Sequence, residues 1–132
     1  MRRRFAGGRL ARLATIGADG APRLVPICFV LEADVIHSVV DAKPKRSPRL
    51  ARLSAVEREP RVSVLVDEWS EDWSRLWWVR ADGRASILDD SGDMAGPVRL
   101  LAGRYPQYHR SPPAGPVIRI LVNRWAGWAA SG

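Results

Sequence analysis

The chain has 132 residues, which fits a single domain, and its 46% hydrophobic and 27% charged residues are ordinary for a globular protein. Its formal net charge of +7 suggests an anionic partner, such as nucleic acid, a membrane surface or a phosphorylated small molecule. The single cysteine, Cys28, excludes an intramolecular disulfide and a CxxC metal site. No run reaches the ~18 apolar residues of a transmembrane helix, and no signal-peptide stretch follows Arg4. We therefore expect a reduced, soluble, cytoplasmic protein with one domain over residues 1–132.

Apolar and alternating segments, separated by turn residues, predict a protein made mainly of β-strands. Two Asp-Gly pairs, Asp19-Gly20 and Asp82-Gly83, are typical of tight hairpin turns. Six or seven strands with two helices favour an antiparallel barrel over a βαβ fold. The strand-like segments are Leu13–Ala18, Ala21–Leu31, Val35–Val40, Val62–Val66 (apolar enough for burial on both faces), Ser74–Ala81, Arg84–Leu88 and Val117–Val122.

Pro26 interrupts the apolar segment that follows the first hairpin turn. A proline has no N–H to donate to a β-ladder, so this strand either lies at a sheet edge or meets something other than a strand there. A simple edge position and a bound ligand both account for the residue.

Two helices are predicted. The first begins at Ser47, which can cap it, followed by Pro48 in the first turn, and it ends before Pro60. The second covers about Asp93–Ala102, is interrupted by Gly96-Pro97, and has Gly103 as a possible C-cap. The Pro- and Gly-rich segment 110–116 is predicted to be a loop.

A basic loop precedes the first helix. The only two lysines of the chain, Lys43 and Lys45, lie there with Arg46, and Arg49 follows in the first helical turn. The N-terminus of a helix has unpaired backbone N–H groups and a partial positive charge, so cations placed beside it favour phosphate binding. A solvated basic turn explains the same spacing.

No familiar catalytic motif occurs. The chain lacks GxSxG, HExxH and Walker-type loops, and His37 and His109 are interpreted as surface or hydrogen-bonded histidines. An enzyme of this kind would take its reactive chemistry from a cofactor. We predict neither a catalytic side chain nor a metal site.

Six tryptophans are present, and two of them, Trp77 and Trp78, are adjacent in a predicted strand. Adjacent strand residues point to opposite faces of a sheet. One ring can therefore fill the barrel while the other contacts a partner subunit or a planar ligand.

Four segments together resemble the pyridoxamine 5′-phosphate oxidase-like split-barrel superfamily, and more narrowly its actinobacterial branch of deazaflavin (coenzyme F-420)-dependent oxidoreductases. The resemblance implies a mainly β fold, a six-stranded antiparallel split β-barrel with two short helices. It also implies a homodimer with two equivalent cofactor sites between the subunits. The segments are Leu13–Phe29, Lys43–Arg46, Asp72–Arg80 and Arg104–Tyr108.

The same resemblance implies which residues bind the cofactor. The basic loop would hold its phosphate, one strand would lie along its tricyclic ring, and the tryptophan pair would contribute from the other subunit. The residues are Lys43, Pro44, Lys45, Arg46 and Arg49 for the phosphate, Val25, Pro26 and Ile27 for the ring, and Trp77 and Trp78 from the partner.

The implied reaction is hydride transfer from reduced coenzyme F-420 to a small electrophilic substrate. Three alternatives stay open: an FMN-dependent pyridoxamine phosphate oxidase-like enzyme, a non-catalytic cofactor-binding protein, and a nucleic-acid-binding barrel. The last is disfavoured because segment 74–88 lacks the spaced surface aromatics of a base-stacking platform. We expect neither nucleic acid nor a membrane as partner.

Overall fold

A computed structural model describes residues 1–40 and 47–131, including the side chains of all of them except 47–50. Within these residues the fold is mainly β, with seven strands and four α-helices, so the prediction of six strands and two helices was wrong in number. The strands are β1 (Ala11–Ile16), β2 (Pro22–Ile27), β3 (Val30–Glu32), β4 (Val35–Val39), β5 (Arg61–Glu68), β6 (Trp77–Leu88) and β7 (Val117–Ala129). The helices are α1 (Arg2–Gly7), α2 (Ser47–Arg58), α3 (Ser91–Arg104) and α4 (Pro106–Arg110), with a 3₁₀ turn at Trp73–Arg75.

The seven strands form one antiparallel sheet in the order β2-β1-β5-β6-β7-β4-β3, curled into a half-barrel. Side chains alternate between the two faces of each strand, and the concave face holds the main core, including Leu13, Val64 and Ile120. Helix α2 contributes Val56 to this core. In the centre of β5, Val62, Val64 and Val66 are buried and the residues between them are half-buried. The predicted burial of this strand on both faces was therefore wrong. No described helix has the length and apolarity that crossing a membrane requires.

The first hairpin is confirmed. Gly20 adopts a φ of +80°, which a residue with a side chain rarely takes, and the Asp19 carboxylate accepts a hydrogen bond from Ala21 N at 3.0 Å. The second arm of the hairpin ends at Ile27, and Val30 starts a separate strand. Strand β2 lies at the sheet edge, which accounts for Pro26 without a ligand.

The second predicted hairpin is wrong, because β6 continues through Asp82-Gly83. The pairing of β6 with β7 shifts register at this point, and a Cβ on Gly83 would overlap the carbonyl oxygen of Leu121. Gly83 therefore permits a close backbone approach at a β-bulge. The Asp82 carboxylate accepts hydrogen bonds from Ser63 Oγ at 2.7 Å and Arg80 Nε at 2.9 Å, which holds it within the sheet.

Helix α2 confirms the first predicted helix, whereas α3 is longer than predicted. The α3 helix contains Pro97 and ends beyond Gly103, with Tyr105 as its C-cap. The Asp90 carboxylate caps its first turn by accepting from Gly92 N and Asp93 N. Apolar residues of α3, among them fully buried Leu101, pack into a second cluster against β3, β4 and β7. This packing outweighs the hydrogen bond lost at the proline.

Candidate functional site

A groove lies between the edge strand β2 and helix α2, and it consists of two adjacent cavities. The larger has a volume of about 460 Å³, with the β1–β2 hairpin on one side and α2 on the other. The smaller has a volume of about 290 Å³ and is lined by the end of β2, Cys28, Val39 and Tyr108. Arg52 lines both cavities, so we treat them as one site and call it the β2/α2 groove.

Arg52 is the most informative residue of the groove. Its Nε atom is buried and has no hydrogen-bond partner among the described residues. Burial lowers the pKa of Arg52, with the nearby Tyr108 opposing the shift, yet a guanidinium stays protonated in proteins. A buried donor without a partner is costly, which makes this guanidinium suited to binding an anion.

Two further arginines line the larger cavity. Arg23 forms an ion pair with Asp19 at 3.2 Å, and the hydrogen bond from Ala21 N, followed by that from Arg23, holds the pKa of Asp19 below its usual range. Arg58, on the last turn of α2, has no ion pair with any described residue. No described carboxylate lines either cavity, so Arg52 and Arg58 give the described lining of the groove a positive charge.

The apolar wall of the groove comes from β2. Val25 lines the larger cavity and packs against the core, while Pro26 and Ile27 line the smaller one. The structure therefore brings together all three residues predicted to lie along a cofactor ring. Their contact with a ring stays a prediction.

The predicted phosphate loop lies outside the described residues. This concerns Lys43, Pro44, Lys45 and Arg46, and the side chain of Arg49 is likewise not described. The chain segment 41–46 connects β4, whose Val39 lines the smaller cavity, to α2. The predicted role of these cations stays a prediction.

Trp77 and Trp78 lie away from the groove within one subunit. The Trp77 ring packs against the core and its Nε1 donates to Glu68 Oε1 at 3.0 Å. Trp78 lines a separate shallow depression of about 840 Å³ with Trp128 and helix α1. A contribution of this pair from a partner subunit stays a prediction.

Sequence reasoning missed Arg23, Arg52 and Arg58. Arg52 follows Arg49 by three residues, a spacing that places two side chains on neighbouring positions of one helix face. That spacing was the available signal. The burial of Arg52 Nε depends on the packing of α2 against the sheet.

The histidines differ from each other. His109 is exposed, as predicted. His37 is buried in β4, and its Nδ1 has no hydrogen-bond partner among the described residues. The interpretation of His37 as a surface or hydrogen-bonded histidine was therefore wrong. Burial lowers the pKa of His37. Arg119, which lies opposite His37 on the neighbouring strand β7, lowers it further. His37 lines neither groove cavity.

Comparisons with known proteins identify the fold and the family. A sequence model of the family described as pyridoxamine 5′-phosphate oxidase matches residues 1–129. No curated protein gives a significant match.

Three solved structures have the same fold at identities that support likeness of fold alone. The first is the conserved hypothetical protein Rv2991 from Mycobacterium tuberculosis, with 23% identity, a TM-score of 0.78 and coverage of 97% of this chain and 81% of that one. The second is a FAD-binding protein from Mesorhizobium loti, with 22% identity, a TM-score of 0.71 and coverage of 96% and 89%. The third is HutZ, the heme storage protein from Vibrio cholerae, with 16% identity, a TM-score of 0.73 and coverage of 97% and 90%.

Proposed function

The chain belongs to the pyridoxamine 5′-phosphate oxidase family, and from that premise we propose that it is an oxidoreductase that binds a phosphorylated flavin-type cofactor in the β2/α2 groove. The observation that carries the proposal is the buried Nε of Arg52, which has no described partner and lies between two cavities with no described carboxylate. Coenzyme F-420 is the favoured cofactor and FMN the alternative. The preference for coenzyme F-420 rests on the sequence resemblance, which all four segments carry together and in this order.

The residues of the groove fit such a group. Cavities of roughly 300–1,000 Å³ with an apolar lining and a few placed polar groups are typical of cofactor sites. The edge strand contributes Val25 to the lining of the larger cavity and Pro26 and Ile27 to that of the smaller one, which would give the ring of a cofactor apolar neighbours. Arg52 and Arg58 would bind the phosphate together with the cations of segment 43–46.

When bound, the cofactor would supply a hydride for transfer to a small electrophilic substrate. The protein's part is to hold the phosphate, to orient the ring against β2 and to exclude water from the reacting face. No acid–base side chain of the chain is needed for this role. The proposal extends to a homodimer with two equivalent sites.

Titration of the purified protein with coenzyme F-420, FMN and hemin, followed by quenching of tryptophan fluorescence, tests the proposal. We expect saturable binding of coenzyme F-420, weakened about tenfold or more by Arg52→Ala and by Lys45→Ala. Arg99→Ala, on the exposed side of α3, is the matched control and should bind like the wild type.

Each contrary outcome has one meaning. Saturation by FMN without a response to coenzyme F-420 would replace the cofactor and keep the site. Binding of hemin alone, or unchanged flavin affinity in both variants, would overturn the proposed function.

A further inference from the structure

The segment Arg104–Tyr108 spans the end of α3 and the first turn of α4, and its last residue lines the smaller cavity of the β2/α2 groove. Helix α3 ends at Arg104, Tyr105 caps both helices, and Pro106 begins α4. The two tyrosines of the segment are three residues apart, a spacing that brings side chains together on one side of a turn. Their ring centroids lie 5.8 Å from each other.

The Tyr105 hydroxyl connects two parts of the chain that are far apart in sequence. It accepts a hydrogen bond from Phe29 N at 3.1 Å, and it lies 3.1 Å from Arg9 O, to which it donates. Only 8% of Tyr105 is exposed, so these bonds are shielded from water and the loss of a partner is costly. Leu10 and Cys28, the chain neighbours of these two residues, both line the smaller cavity. The hydroxyl therefore fixes the backbone on two sides of this cavity.

Arg104 reinforces the same junction. Its guanidinium donates to Phe29 O at 2.6 Å and to Gly8 O, and it lies 4.8 Å from the centroid of the Phe29 ring. Arg9 in turn donates to Arg104 O at 3.1 Å and lies 5.1 Å from the centroid of the Tyr105 ring. Both arginines are engaged by carbonyls and rings, and they hold the N-terminal segment against the end of α3.

Tyr108 is the member of the segment that lines the smaller cavity itself, together with Arg52 of α2. Its side chain is half-buried and meets the Tyr105 ring edge to face, with 66° between the two planes. Aromatic pairs prefer this arrangement, so a fixed first ring orients the second. Tyr105 lines neither cavity, and it affects the groove only through the residues it holds.

We propose that Tyr105 is a positioning residue of the smaller cavity and that Tyr108 contacts the ring of the bound cofactor. The Tyr105 hydroxyl sets the separation of the Leu10 and Cys28 walls, and its ring holds Tyr108. The contact of Tyr108 rests on the proposed function, which supplies the ring, whereas the positioning role of Tyr105 does not. Walls that are fixed before binding lower the ordering cost of binding a planar ring.

Cys28 is the single cysteine of the chain, so its thiol is an unambiguous reporter of the smaller cavity. Its rate of alkylation by iodoacetamide in the folded, ligand-free protein, followed by mass spectrometry, measures how firmly the walls are held. Tyr105→Phe keeps the ring and removes the hydroxyl. We expect it to raise the rate about five- to tenfold, because local opening then breaks fewer hydrogen bonds.

Ser63→Ala is the matched control for this measurement. It removes a hydroxyl that donates to Asp82 at 2.7 Å in the same sheet, and Ser63 lines neither groove cavity. Its Cys28 rate should equal that of the wild type, even where its unfolding midpoint falls as far as that of Tyr105→Phe. An unchanged rate in Tyr105→Phe, or an equal rise in both variants, would overturn the positioning role.

The contact of Tyr108 with the ring is tested by ligands that carry the ring without a phosphate. Riboflavin is titrated beside FMN, and 8-hydroxy-5-deazariboflavin beside coenzyme F-420. Tyr108→Ala should weaken both members of a pair by the same factor, about three- to tenfold for one aromatic contact. Arg52→Ala should weaken the phosphorylated member more. Unchanged binding of the phosphate-free rings by Tyr108→Ala, or a loss confined to the phosphorylated members, would overturn the contact.

The two measurements separate this inference from the proposed function. If Tyr105→Phe raises the Cys28 rate but the wild type binds no ring compound, the function and the Tyr108 contact fail while the positioning role stands. If the wild type binds a flavin, Tyr108→Ala binds it equally well and Tyr105→Phe leaves the Cys28 rate unchanged, the inference fails and the function stands.

Discussion

The β2/α2 groove and the depression beneath helix α1 are both open cavities lined by arginines, but among the described residues only the groove has an arginine nitrogen that is buried without a hydrogen-bond partner. In the depression, the larger of the two, Arg2 pairs with Asp34 at 3.0 Å and Arg4 lies over the Trp77 ring at 5.6 Å. In the groove, Arg52 Nε is buried without a described partner. Volume therefore does not identify the site. A buried cationic group that lacks a hydrogen-bond partner is a better indication of a ligand-binding site than the volume of a cavity.

Helix α1, whose Arg2, Arg3 and Arg4 line the depression, is expected to be structural, and its Phe5 provides the test with the largest effect. Phe5 is fully buried, with its ring centroid 5.1 Å from that of Phe29 and 5.1 Å from that of Trp125. Phe5→Ala should lower the free energy of unfolding by about 3–5 kcal/mol, because it leaves a cavity in the core. Denaturant unfolding measures this, with Leu24→Ala on the exposed edge strand as the control. Equal stability of the two variants would contradict a structural role for α1.

The contrast between the arginines predicts a difference in ligand affinity. Arg52→Ala should weaken flavin binding by about 1.5–3 kcal/mol, the range for a hydrogen bond to a charged group, and Arg4→Ala should have no effect. Isothermal calorimetry with coenzyme F-420 and FMN distinguishes the two variants. A larger loss in Arg4→Ala would move the site to the depression.

Buried His37 and exposed His109 offer a second comparison, which predicts how the stability of the protein depends on pH. His37 has a pKa below its usual 6.5 in the folded protein, so the unfolded chain binds more protons below neutral pH. Stability should therefore fall as the pH drops through 6.5 toward the folded pKa, with a slope of at most about 1.4 kcal/mol per pH unit. His37→Gln should flatten this slope in denaturant unfolding, and His109→Gln should not. A wild-type curve that is flat between pH 7.5 and 5.5 would rule the effect out.

The smallest expected effect is on the stability of the unliganded protein. Arg52→Met keeps the aliphatic stem and removes the half-buried charge, so it should stabilise the free protein by up to about 1 kcal/mol while weakening flavin binding. Thermal unfolding with and without flavin measures both quantities. Destabilisation of the free protein would mean that the guanidinium has a structural partner.

The two Asp-Gly pairs show how far local sequence determines structure. Asp19-Gly20 forms the predicted turn, in which the backbone of Gly20 needs its positive φ. Asp82-Gly83 carries the same local signal but lies in a strand with neighbours on both sides. Gly83 is needed there for the approach of Leu121, which is distant in sequence, so local reasoning could not recognise it.

The residues of the candidate site likewise differ in whether the local sequence or only distant packing reveals them. Val25, Pro26 and Ile27 could be placed together in one strand, which the structure shows as the edge strand β2, and their contact with a ligand stays a prediction. In the sequence, Arg52 differed from the other arginines only by its position three residues after Arg49. The burial of its Nε depends on the packing of α2 against the sheet, which composition does not encode.

The sequence by itself determined the elements that depend on near neighbours: helix α2 with its start at Ser47, the first hairpin, and a mainly β chain. These follow from the positions of Pro48 and Pro60, from turn geometry and from side-chain alternation within a few residues. Only the tertiary structure decided that β6 continues through Asp82-Gly83, that α3 tolerates Pro97 and that Arg52 Nε is buried. Each of these depends on packing between segments far apart in the chain, whose free energy exceeds the local preference.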